Sequence, residues 1–339
     1  LPAVDVYLTV DVECSMGGAW VDAGRRPVPP DRRIFCRRGG SEWGIGFFCS
    51  ELTRRGLRAT FFTEMFGVNL FGENEMRPVT DLLLESGQDV QLHLHPIFLR
   101  YAELRGRQWP LPPARIGEWP DAFTCYDEEE QYRLLEQGAG IFRRLVGRPP
   151  VAFRAGGYAA NRATLRALAR LGVLLDSSAN PAWSMSFPGE PMVPNRASRA
   201  EGVWEIPVTV ARTRFPDTKP LKHLEIPAIS FAEMRMALDA AQRGGLRRVV
   251  IMFHSFGAVK ARDVGYERFR PDRIAISRFR RLLDFLAENS SAFRVRTFDD
   301  LAGAMGELSE QESALVPDFG WRRPLLRKVV QAANRLYWA

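Results

Sequence analysis

The chain is expected to fold as an α/β protein built on a distorted parallel (β/α) barrel. Short runs rich in β-branched and aromatic residues alternate with helical patterns from one end to the other, the order of βα units and not of a sandwich or a helix bundle. Polar residues able to do chemistry fall at the ends of those runs, where a (β/α) barrel carries its catalytic loops. A closed or nearly closed barrel fits this placement better than an open doubly wound sheet.

In chain order, a first strand is expected at 4–12, followed by a long irregular stretch at 17–40 and a second strand at 58–63. Helical apolar spacing covers 75–86 and leads into a strand at 90–95. Residues 96–124 read as irregular, with Trp109 and Trp119 beside prolines. Long loops of this kind serve as lids or binding walls, and their tryptophans suit stacking on sugar rings as well as wedging a loop onto the core. A helix at 127–145 opens on an acidic first turn that suits the helix dipole. After a strand at 152–154, Asn161 can cap a helix through Leu171 that Gly172 closes. Strands at 173–176 and 203–211 precede a helix capped by Ser230, with Glu233 at capping-box distance and Gly244-Gly245 after its end. A strand at 248–254, a helix at 274–288 and a strand at 294–297 complete the series. Residues 1–308 thus form one barrel domain, and 309–339 a basic amphipathic C-terminal extension whose basic and aromatic residues suit an anionic membrane surface as well as packing on the domain.

With 339 residues and 46% hydrophobic content, the chain can bury a large core. Its four cysteines show no C-x-x-C spacing, so neither a disulfide framework nor a structural zinc cluster is indicated, and a reducing compartment fits. No secretory or membrane-spanning pattern is present, and a cytoplasmic protein, membrane-peripheral at most, is expected. The net charge of +7 is spread over many segments and interleaved with acids, which argues against nucleic-acid binding.

Of four histidines, His93 and His95 lie one residue apart at a strand end, where both rings share a face. That is a metal-site geometry, although two satisfied histidines would show the same spacing. Asp11 and Glu13 end the first strand, Arg154 and Asp176 two others, and His254 a late one. By itself, Asp176 reads equally well as a turn residue before Ser177-Ser178.

Taken together, Val6-Tyr7-Leu8-Thr9-Val10-Asp11-Val12-Glu13, the His93/His95 pair, Phe153-Arg154-Ala155-Gly156-Gly157-Tyr158, Leu175-Asp176-Ser177-Ser178 with Trp183, and Ile251-Met252-Phe253-His254-Ser255 follow the motif order of the polysaccharide deacetylases. The chain resembles this NodB-homology group, carbohydrate esterase family 4, over about residues 4–301, and most of all a divergent branch associated with bacterial O-antigen and other surface-glycan gene clusters. The resemblance implies a hydrolase that removes N-acetyl groups from an acetylated sugar or glycan with a divalent metal, Zn²⁺ first and Co²⁺, Ni²⁺ or Fe²⁺ as alternatives. It assigns Asp11 as general base, Arg154 as the group that orients it, His254 as general acid and Asp176 as the carboxylate that holds His254. Two departures stand out. Val12 occupies the family's carboxylate-ligand position, so Glu13 is expected to join His93 and His95 as metal ligand, with exchanged roles for Asp11 and Glu13 as the alternative. The histidines are separated by one residue where the family has three. Hydrolysis of another non-peptide C–N bond, or a glycan-binding pseudoenzyme, are the competing readings.

Overall fold

The chain's strands converge on its first run. In a computed structural model describing residues 2–104, 120–190, 192–214 and 220–338, the main-sheet strands are β1 (Val4–Val12), β2 (Thr60–Glu64), β3 (Asp89–Leu94), β4 (Ala152–Ala155), β5 (Leu175–Asp176), β6 (Ser198–Ala200), β7 (Val203–Glu205), β8 (Arg248–His254) and β9 (Phe293–Arg296). Buried throughout, β1 pairs in parallel with β8 on one side; on the other, β9 takes its first half and β2 its second. The sheet order β8-β1-β2-β3-β4-β5-β7-β6 is parallel except for the β6–β7 hairpin. Strands buried on both faces read as continuous apolar runs, which is why β1 and β8 were legible end to end.

The sheet curls into a half-barrel and does not close through a strand ladder. The expected run 203–211 divides into β7 and a separate hairpin of Val210–Arg212 with Leu221–His223, because Pro207 has no N–H to continue the ladder. The seam between β7 and β8 is stitched by single bonds: Thr209 N donates to Val250 O, Leu224 N to Thr209 O and Met252 N to Leu224 O.

Helices α1 (Ile45–Thr53), α2 (Glu73–Glu85), α3 (Pro96–Leu104), α4 (Glu128–Val146), α5 (Arg162–Arg170), α6 (Phe231–Arg243), α7 (Arg273–Glu288) and α8 (Arg322–Trp338) cover the outside. Capping boxes open α4 at Asp127, α5 at Asn161 and α6 at Ser230, and Gly147 ends α4 in the left-handed region at φ 80°. The stretch expected to be irregular from residue 96 begins instead with α3, whose Ile97, Phe98, Leu99 and Tyr101 are buried; Trp109 and Trp119 lie outside the described residues. Phe48 of α1, Phe253 of β8 and Phe279 of α7 form an aromatic cluster, with ring centroids 5.0–6.1 Å apart.

One glycine sets how closely α4 approaches β3. A Cβ on Gly138 would lie 2.5 Å from a methyl of Leu94, the residue between the two strand-end histidines. Gly138→Val should therefore cost about 1–3 kcal/mol by overpacking, read as a lower midpoint in urea unfolding; an unchanged midpoint would mean that this helix has room to retreat.

Candidate active site

The site lies at the C-terminal ends of β1, β3, β4 and β8. Thr9, Asp11 and Glu13 alternate onto one face of the first strand, Glu13 one residue past its end. From β4, the fully buried Arg154 reaches across the interior to donate to Asp11 Oδ1 at 2.7 Å and Thr9 Oγ1 at 3.0 Å. Its remaining N–H groups meet Ser177 O and Ser177 Oγ, both at 3.0 Å, and its guanidinium stacks over Phe62.

His93, in β3, and His95, just beyond it, meet edge to face with ring centroids 4.9 Å apart. Each is held through Nδ1. His93 Nδ1 lies 2.7 Å from the Arg154 carbonyl, and His95 Nδ1 lies 2.7 Å from Asp121 Oδ2. A carbonyl only accepts, so His93 must carry its proton on Nδ1, and both Nε2 atoms are left facing Glu13. His95 Nε2 is 2.6 Å and His93 Nε2 3.7 Å from Glu13 Oε2.

Glu13, His93 and His95 offer ligand atoms that all lie within 4.8 Å of one another. Buried His95 Nε2 makes no well-aligned hydrogen bond among the described residues although Glu13 Oε2 lies 2.6 Å away. Tetrahedral ligands about 2.0–2.2 Å from an ion stand roughly 3.3 Å apart, so the set fits a divalent cation after a small opening of the Glu13–His95 contact. A Cβ on Gly156 would lie 2.6 Å from His95 Nδ1, so only glycine leaves room for this ring.

Electrostatics follow from burial and pairing. Burial opposes charge on both Glu13 and His95. For Glu13, the His95 charge and the close contacts with both imidazoles outweigh burial and hold its carboxyl well below the usual range. For His95, the Asp121 and Glu13 carboxylates outweigh it and lift the imidazole well above its ordinary value. Burial pushes Glu64 up to about 8. Its carboxyl accepts from Phe66 N and Gly67 N at 2.6 Å each and reaches His95 N at 3.4 Å, supporting the backbone that carries the ligand.

The structure brings Glu13, His93 and His95 together, pairs Asp11 with Arg154, and sets His254 at the same strand ends, in register with Asp11. It does not bring Asp176 to His254. Asp176 accepts from Ser178 Oγ at 2.7 Å and faces Glu205, whose carboxyl burial and the Asp176 charge drive well above the usual range. The carboxylate against His254 is Glu225, 3.2 Å from Nδ1, in the seam between β7 and β8. Glu225 also lies 3.3 Å from His223 Nε2 and is held well below the usual range by these histidines against the opposing effect of burial. Burial disfavours the His254 imidazolium, yet Glu225, Glu13 and Asp11 together raise its pKa.

Sequence reasoning missed Glu225, Asp121, Glu64 and Arg33. The signal for Glu225 was available: His223 and Glu225 are two apart, the same spacing that singled out His93 and His95. Asp121 follows an aperiodic stretch and carries no such signal. Arg33, from the 17–40 stretch, lies 3.5 Å from Glu13 Oε1, stacks on Phe256 and donates to the Tyr266 hydroxyl, so this stretch does form a wall of the site. Tyr158 sits at φ 58° with its hydroxyl buried and without a hydrogen-bond partner among the described residues, a strained and unsatisfied group beside Arg154.

Gly156→Ala should push His95 away from Asp121 and weaken divalent-ion binding by about tenfold or more. Titration against a chelating dye checks this, and unchanged affinity would mean that His95 is not a ligand.

No family model and no curated protein matches the sequence. Solved structures do match. A candidate polysaccharide deacetylase from Mycobacterium smegmatis superposes with a TM-score of 0.52 at 17% identity, over 94% of this chain and 99% of that one. A 4-alpha-glucanotransferase from Thermococcus litoralis gives a TM-score of 0.50 at 10% identity, over 92% of this chain and 41% of its own. A family 4 carbohydrate esterase from Streptomyces lividans, in complex with acetate, aligns over 94% of this chain and all of its own at 12% identity, with a TM-score of 0.41. By its strand order and this superposition, the chain has the fold of the polysaccharide deacetylases, the NodB-homology (β/α) barrel.

Proposed function

We propose that the protein is a metal-dependent hydrolase that removes N-acetyl groups from an acetylated amino sugar or surface glycan and releases acetate. The observation that carries this reading is the Glu13/His93/His95 set, with both imidazoles held through Nδ1, beside two separate charged pairs, Asp11–Arg154 and His254–Glu225. Glu13 and the two histidine Nε2 atoms would hold the ion, with Zn²⁺ the expected occupant of a two-nitrogen, one-oxygen set. When bound, it supplies polarisation of the acyl oxygen and activation of water.

The chain's own groups then divide the proton work. Arg154 donates to Asp11 and fixes its carboxylate at the strand end, where Asp11 takes the proton of the attacking water. His254, kept protonated by Glu225, delivers a proton to the departing amine nitrogen. The buried Tyr158 hydroxyl, beside Arg154 and without a partner among the described residues, would donate to a substrate oxygen. Cys14, Cys36 and Cys49 are buried free thiols, which suits action in a reducing, cytoplasmic compartment.

Metal analysis joined to an acetate-release assay on N-acetylated glycans tests the reading. Glu13→Gln should lose the ion, whereas Asp11→Asn should keep it and lose about 10²–10⁴ in kcat. The opposite pattern would exchange the two roles, and no ion and no acetate from the unaltered protein would leave a glycan-binding relic.

The pH profile offers an independent check. A general acid must be protonated, so activity falls as pH rises through its pKa, and a raised pKa extends the plateau to higher pH. Glu225→Gln removes the neighbour that raises His254 and should move the alkaline limb to lower pH. An unmoved limb would take His254 out of the acid role.

A further inference from the structure

Over its described side chains, residues 322–332, the C-terminal helix is docked the wrong way round for a soluble surface. An ordinary surface helix buries its apolar stripe and shows its charges to water. In α8 the inward side chains among those described are mostly polar, with Pro324 the buried exception: Arg327 is buried against Glu233 and donates to Ala228 O, and Gln331 donates to Pro227 O at 3.3 Å. The outward ones are apolar, with Leu326 and Val329 each 59% exposed and Trp321, Leu325 and Val330 exposed beside them. From Arg322 to Trp338 the helix carries no acidic residue.

Beside this apolar face, a cavity of about 380 Å³ opens between α8 and the N-terminal ends of α6 and α7. Arg273, Arg281 and Arg323 line it, all exposed and, among the described residues, without a carboxylate partner. Arg281 lies over Phe231. The nearby acids are already engaged: Glu233 with Arg327 and Ser230, and Asp272 as the cap of α7 and partner of Lys260. Two helix N-termini add partial positive charge to the same space. Unpaired arginines around a cavity, rimmed by exposed tryptophan, leucine and valine, complement a surface that is anionic at its headgroups and apolar beneath.

We propose that this face docks on an anionic phospholipid membrane, with α8 lying in the interface and the arginine cavity receiving a lipid phosphate. Because α7 is reached from the C-terminal end of β8, the docking face belongs to the same end of the barrel as His254. Contact is peripheral: among the described residues no helix is long and apolar enough to cross a bilayer.

Vesicle co-sedimentation of the full chain tests the proposal without reference to turnover. Vesicles of mixed phosphatidylcholine and phosphatidylglycerol should bind the protein, those of phosphatidylcholine alone should not, and salt at about 0.5 M should weaken binding. Arg273→Gln/Arg323→Gln should reduce affinity by about fivefold per charge, and Leu326→Ser/Val329→Ser should abolish binding, both with an unchanged thermal midpoint. Equal binding to both vesicle types, no binding at all, or full binding by the arginine variant would overturn the proposal. So would binding of sn-glycerol 3-phosphate in the absence of vesicle binding, which would make the cavity a soluble-anion site. A dimer in sedimentation velocity that the serine variant disrupts, again without vesicle binding, would assign the face to a second copy.

Discussion

The buried guanidinium of Arg154 is the interaction on which the site depends. Its side chain spans the barrel interior to β1 and the segment after β5, while its own carbonyl holds His93 Nδ1. One residue therefore sets both the position of Asp11 and the tautomer of the His93 imidazole. A cation in this position is costly unless every donor finds an acceptor, and removing one partner of such a pair costs about 3–5 kcal/mol. The fork geometry that satisfies Thr9, Asp11 and both oxygens of Ser177 belongs to arginine; a lysine would present a point charge to the same acceptors.

Around this centre the supports are layered. Asp121 and the Arg154 carbonyl orient the histidines, Glu64 fixes the backbone under His95, and Gly156 leaves the space in which that ring turns. None of these groups needs to touch a substrate. Each decides where an atom that does so will sit, and holding such atoms in place is what makes a site catalytic.

Much of this was legible in the sequence because its physical cause is local. The strands β1 and β8 announce themselves as apolar runs, and Asp127, Asn161 and Ser230 as caps, since a helix end needs those side chains. Glu13, His93 and His95 were legible because strand periodicity places residues two apart on one face. What was not legible depends on contacts distant in sequence. Which carboxylate reaches His254 is settled by how the seam folds back on β8, so Asp176, matched to that role by the family resemblance alone, was read in place of Glu225. The half-open sheet turned on one residue, Pro207, inside an otherwise strand-like run. The short helices between the strands, α3 among them, gave too few turns for a period to emerge.

The seam has a consequence for how the two halves of the chemistry vary. The proposed ion ligands Glu13, His93 and His95 hang on the ends of β1 and β3, in the continuous sheet, whereas the partner of His254 hangs on irregular chain joined to that sheet by isolated bonds. A lengthened or shifted seam would alter the strength of the proton donor, and so the range of leaving groups accepted, without moving a single ligand. On the proposed reading, ion binding and leaving-group preference are thus inherited through different parts of the backbone, and one can drift while the other is kept.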